Sequence, residues 1–84
     1  MIHGFGGAGP VFYKIIGSLR KSFRVTTIDL LGMAGSGRPA FHLTQAEECI
    51  DYFALSTEAW MQTTGYSQEK YVLCGHSLGG YLAA

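Results

Sequence analysis

An α/β architecture, a partial doubly wound parallel sheet with helices between its strands, is what this sequence predicts. Three observations carry that expectation. Short β-favouring runs alternate with stretches of helical apolar period, in the order strand, helix, strand, helix, strand, helix. The runs open at their carboxyl ends into glycine-rich loops, which is where chemistry gathers in such sheets. And 48% of the 84 residues are hydrophobic while only 14% are charged, a balance that suits strands covered on both faces better than a free-standing small domain. The alternation gives about three strands, the first truncated, with three helices, in a single small domain.

Met1-Ile2 read as the last residues of a first strand. The loop His3-Gly4-Phe5-Gly6-Gly7-Ala8-Gly9 follows, with four glycines in seven residues, so its amides are free to approach a ligand closely. Its letters also fit a dinucleotide fingerprint, with Asp29 as the acid about 20 residues on. That reading needs an intact strand before the loop, and it leaves the serine turn described below unexplained. Gly9-Pro10 is a helix start with proline in the first turn. Val11, Phe12, Ile15, Ile16 and Leu19 form the apolar stripe, and Arg20 and Lys21 suit the negative helix end. Gly17 weakens this helix by about 1 kcal/mol relative to alanine.

Phe23 to Leu30 is the second strand, with Val25, Thr26, Thr27 and Ile28 at its centre and Asp29 near its carboxyl end. Leu31 to Pro39 is a long glycine-rich turn. Asp29 is either a catalytic carboxylate or, the commoner role, an acceptor for the amides of that turn. Thr44-Gln45-Ala46-Glu47 reads as a capping box. Ile50, Phe53, Ala54, Thr57, Trp60 and Met61 share one face of the helix it opens, with Phe53 and Trp60 as core residues. Gly65 is the expected C′ stop. Lys70 to Cys74 is the third strand, and a last helix begins at Leu78.

Between that strand and that helix lies Gly75-His76-Ser77-Leu78-Gly79-Gly80, a G-x-S-x-G sequence in the strand–turn–helix setting of a nucleophile elbow. Such a turn strains the backbone of Ser77 and lifts its hydroxyl above the sheet edge. Strand and helix then pass so closely that Gly75 and Gly79 tolerate no Cβ. The Leu78 amide, at the helix start, would face a developing oxyanion. His76 is too near in sequence to turn back as the base for Ser77, and His42 is a loop histidine of solvent-facing type.

Six basic and six acidic residues balance, which excludes a basic face for nucleic acid. Cys49 and Cys74 lack metal-ligand spacing and read as small core or near-core residues rather than a disulfide. No apolar run approaches the ~18 residues of a membrane span, and no signal peptide is visible, so the cytoplasm is the default compartment. Nothing calls for a metal or organic cofactor. A chain of this length buries only a little over ~60% of its unfolded surface, which makes it marginal in stability.

Taken together, His3-Gly4-Phe5-Gly6-Gly7, Asp29-Leu30-Leu31-Gly32 with Ser36-Gly37-Arg38-Pro39, and Gly75-His76-Ser77-Leu78-Gly79-Gly80 resemble the α/β-hydrolase family over essentially all 84 residues. The pattern looks closest to the branch of N-acyl-phospholipid lipases and lipid-droplet lipase coactivators. The resemblance implies Ser77 as nucleophile and the Phe5 and Leu78 amides as oxyanion hole. It gives His3 and Gly4 the shaping of the first loop, and Asp29 and Gly32 the organisation of the second turn. Ala34 stands where the family usually has a second glycine. The branch's coactivators lack the serine that this chain has. In the family the acid and histidine of the triad follow the elbow, and neither is present here. Residues 1–84 are therefore expected to be an incomplete hydrolase domain, from oxyanion loop to elbow, inactive alone. The substrate implied is an ester or amide acyl group, lipid-like. The alternative is a non-catalytic regulatory or binding remnant of such a protein.

Overall fold

A computed structural model describes residues 1–84. A 3₁₀ turn, Gly9–Phe12, leads into helix α1, Tyr13–Leu19; helix α2 spans Ala46–Thr63; a second 3₁₀ turn is Tyr66–Gln68; helix α3 is Leu78–Ala83. The three β-favouring stretches are extended, but none forms a continuous ladder. They meet in two isolated parallel bridges, Ile2 with Ile28 and Ile2 with Gly75. Ile2 receives Gly75 on one side and Ile28 on the other. The strand expected over Phe23–Leu30 is thus a single bridge at Ile28, and that expected over Lys70–Cys74 holds no bridge of its own, the bridge falling on Gly75 just after it.

The core forms around Ile2. Ile2, Leu30 and Met33 are buried, with Ile28, Phe53, Leu73, Leu78 and Leu82 packed against them. Helix α2 presents Ile50, Phe53, Ala54 and Thr57 on its inner face, and Thr57 is its buried residue. Trp60 departs from the core role predicted for it. It is exposed and stacks on Tyr66, centroids 5.2 Å apart and planes 16° from parallel, because the 3₁₀ turn folds back on the last turns of α2. In α1 the stripe is half covered: Phe12, Ile16 and Leu19 are half-buried, whereas Val11 and Ile15 face outward.

The capping box is displaced by one residue. Gln45, not Thr44, is the N-cap of α2, in extended conformation and without a side-chain cap bond. Glu47 and Glu48 then fall in the first turn, where their charge complements the helix dipole. Gly65 sits at φ +83° just past the C-cap Thr64 and donates its N–H to the Gln62 carbonyl at 3.3 Å, as a left-handed C′ glycine does. Both cysteines are free thiols; Cys49 is half-buried, but Cys74 is exposed, since nothing in residues 1–84 covers the outer side of the third extended stretch.

Candidate functional site

Ser77 is one of two non-glycine residues with positive φ, at φ 55° and ψ −120°, immediately before α3. A backbone in that region costs roughly 1–3 kcal/mol and persists only where its surroundings fix it. Ile2 does the fixing. Its N–H donates to the Cys74 carbonyl at 2.8 Å and its carbonyl accepts the His76 N–H at 3.0 Å. Beyond the turn, Gly80 donates to the Ser77 carbonyl at 2.8 Å and Gly79 to that of His76 at 3.0 Å. The glycines follow from the same crowding. A Cβ on Gly75 would lie 1.9 Å from the Gly79 carbonyl oxygen, and one on Gly79 would lie 2.2 Å from that of Ile2.

The first loop closes on the serine. A Cβ on Gly4 would sit 2.9 Å from Ser77 Cβ and 3.4 Å from Ser77 Oγ. Phe5 follows Gly4 in a tight turn with Gly6 at φ +68° and a Gly7-to-Gly4 hydrogen bond of 3.0 Å. Neither the Phe5 amide nor the Leu78 amide has an acceptor within the chain, and the Ser77 hydroxyl has no hydrogen-bond partner either. The Ser77 hydroxyl, the adjoining Leu78 amide and the Phe5 amide in the loop that closes on the serine are thus all unpartnered, on backbone locked from both sides.

His3 lies beside this turn and is fully buried. The Leu30 amide can only donate, so His3 Nε2 accepts at 3.0 Å; the ring proton is then on Nδ1, which donates to the Gly4 carbonyl at 2.7 Å. With both nitrogens engaged, His3 has none to offer Ser77. Its imidazole instead ties the first loop to the second turn.

Asp29 ties the same two loops a second time. Its Oδ1 accepts the Gly9 amide at 2.7 Å and its Oδ2 accepts the Gly35 amide at 3.1 Å, while its carbonyl takes the Ser36 hydroxyl. These amides, Gly9 first and Gly35 second, hold the carboxyl below its ordinary pKa. Asp29 is thus the amide acceptor of the two sequence readings. The turn itself places Gly32 at φ +77° and Ala34 at φ +45°, so the alanine adopts a left-handed backbone where a glycine would be unstrained.

Arg38 was not legible as a site residue from the motif in which it stands. Its Nη1 donates to the Ser36 carbonyl and its Nη2 to the Ala34 carbonyl, each at 3.1 Å. The available signal was a cation placed just behind a glycine turn with carbonyls to satisfy. A cavity of about 620 Å³ opens between this turn, α2 and the elbow, and Phe5, Arg38 and Leu78 all line it. No group of His, Cys, Asp and Glu side chains is arranged to hold a metal ion.

Comparison with known proteins gives the family. The family model described as alpha/beta hydrolase fold matches residues 1–84. The chain is 40% identical over 84 residues to a 1-acylglycerol-3-phosphate O-acyltransferase of Arabidopsis thaliana, covering 100% of this chain and 20% of that protein. It is 42% identical over 83 residues to the (lyso)-N-acylphosphatidylethanolamine lipase of Homo sapiens, covering 99% of this chain and 23% of the lipase. It is also 42% identical over 84 residues to the 1-acylglycerol-3-phosphate O-acyltransferase ABHD5 of Sus scrofa, covering 100% and 23%. The chain therefore spans about a fifth of the length of these relatives. No solved structure matches it significantly. With the whole sequence matched, and the turn, loop and glycine contacts in place, the chain belongs to the α/β-hydrolase fold family.

Proposed function

We propose that the protein is a serine hydrolase that acts on a lipid-like ester or amide through an acyl-enzyme on Ser77. One observation carries the reading: an unpartnered serine hydroxyl on a strained turn, with the next amide, Leu78, and the Phe5 amide of the loop packed against it both lacking an acceptor. In the proposed reaction Ser77 Oγ attacks the acyl carbonyl and gives up its proton to a base. The Phe5 and Leu78 amides hold the oxyanion that forms. The alcohol or amine leaves protonated, and water, or a second alcohol, then takes the acyl group from Ser77. Gly4 keeps a side chain out of the space beside Oγ. Gly75, Gly79 and His76 carry the turn, while His3, Asp29 and Gly32 hold the loops on either side. The base and its orienting carboxylate are not supplied by residues 1–84 in this scheme. His3 has both nitrogens committed, and His76 adjoins the nucleophile on a turn that points neighbouring side chains apart. The names of the relatives, a lipase and two acyltransferases of acyl lipids, support a lipid-like acyl substrate.

The native gene product is expected to label covalently with a fluorophosphonate. Ser77→Ala should abolish the label and cut esterase activity by at least about a thousandfold. Absence of label in the native protein, or label surviving in Ser77→Ala, would replace this reading with that of a non-catalytic binding protein.

A further inference from the structure

One stretch has no part in the acyl-transfer site, and its charge is one-sided. Four of the six lysines and arginines, Lys14, Arg20, Lys21 and Arg24, fall between positions 14 and 24, and no Asp or Glu precedes Asp29. Among the last three of these cations stands Ser22, in the turn that carries the chain out of α1. Ser22 is exposed, and so are Arg20, Lys21, Phe23 and Arg24 around it. The turn hangs on the end of the helix: the Ser22 and Phe23 amides donate to the Leu19 carbonyl at 3.0 and 2.9 Å. Helix α1 itself is weakly held. It has seven residues, none of them buried, and no side-chain bond at its N-cap. Gly17 lowers its helix propensity further. Its last turn can therefore open at small cost and let Ser22 enter an enzyme cleft in extended form.

We propose that Ser22 is a phosphorylation site for a protein kinase whose acidic cleft reads basic residues, and that Arg24 receives the phosphate. In the reaction the Ser22 hydroxyl oxygen bonds to the terminal phosphorus of a nucleoside triphosphate. The bond from that phosphorus to the bridging oxygen breaks, the nucleoside diphosphate leaves, and the hydroxyl proton passes to the kinase. The unmodified protein holds Arg24 only weakly. Its Nη2 donates to Glu69 at 2.9 Å, and its guanidinium lies 5.2 Å from the Tyr66 ring centroid. Both partners of the ion pair are largely exposed, so the pair contributes little. A phosphoserine two residues away brings about −1.5 to −2 of charge and oxygens that match the guanidinium fork. Arg24 then leaves Glu69, and the second extended stretch loses that link to the chain leading into the elbow. This site is independent of the reading of Ser77.

The native gene product is incubated with magnesium ATP and a purified serine/threonine kinase selective for basic substrates. Mass spectrometry should place a phosphate on Ser22 of the folded protein and find none there in Ser22→Ala. Arg20→Gln combined with Lys21→Gln should slow its addition at least about tenfold, by removing the charges that the cleft reads. In phosphorus NMR the phosphate should titrate below about 6, the ordinary second pKa of phosphoserine, because neighbouring cations favour the dianion. Arg24→Gln should move that titration back up. No phosphate on Ser22 overturns the proposal, as does phosphate that appears there only after denaturation, or addition at an unchanged rate in the double variant shown folded by circular dichroism. A titration indifferent to Arg24→Gln overturns the role given to Arg24.

Discussion

Gly79 shows how one hydrogen atom sets the elbow. The start of α3 passes so near Ile2 that a Cβ there would lie 2.2 Å from the Ile2 carbonyl oxygen and 2.6 Å from that of His3. Both neighbours are backbone, and the Ile2 carbonyl already accepts the His76 amide. Gly79→Ala must therefore move either the helix or the bridge pair. We expect a loss of about 3 kcal/mol in chemical denaturation, at the upper end for overpacked sites, together with loss of fluorophosphonate labelling. Asp29 sets a different limit, in pH. Its carboxyl titrates below the ordinary range because the folded state offers it two amides. A depressed folded pKa stabilises the protein above the unfolded value, near ~3.9, and that stabilisation is lost as pH falls through the folded one. Acid unfolding followed by circular dichroism should show this loss at low pH, and Asp29→Asn should flatten it while lowering stability at neutral pH.

Helix α2 lacks the cap its sequence advertises. Gln45 occupies the N-cap without making a side-chain bond, and Thr44 stands one residue too early. Gln45→Ser should thus stabilise the protein by about 1 kcal/mol in thermal denaturation, whereas Thr44→Ala should change little. This one-residue error is of the kind that composition cannot prevent, because Thr44 and Gln45 compete for the role through the path of the incoming loop. Gly65 was legible for the opposite reason: only a residue at ease with positive φ ends a helix in that way, and glycine is distinctive. The serine turn was legible on the same ground, since Gly75 and Gly79 mark the close approach. The two longer strands were expected as members of a sheet, but only isolated bridges form, because pairing depends on the chain across from a β-favouring run and not on the run itself. Trp60 and Cys74 were misplaced by reading apolar letters as interior ones. Whether such a residue is covered depends on what packs above it, which periodicity does not reveal.

Across the molecule, much apolar surface stays open. The accessible area is 6031 Å², against roughly 4,900 Å² for a folded monomer of this mass. The radius of gyration is 13.0 Å, against about 11.9 Å for a compact chain of this length. Phe5, Val72 and Tyr81 are each at least 75% exposed. Produced by itself, the stretch 1–84 should therefore bind a hydrophobic dye such as ANS and unfold without a sharp transition; a cooperative denaturation curve would contradict this. The bridges of Ile2 add a matter of loop length. One partner, Ile28, lies near it in sequence, and the other, Gly75, lies near the far end. Between the two, the Ile2–Ile28 pairing closes the shorter loop and the Ile2–Gly75 pairing the longer one, so the contact that fixes the bend at Ser77 carries the larger loop-closure entropy.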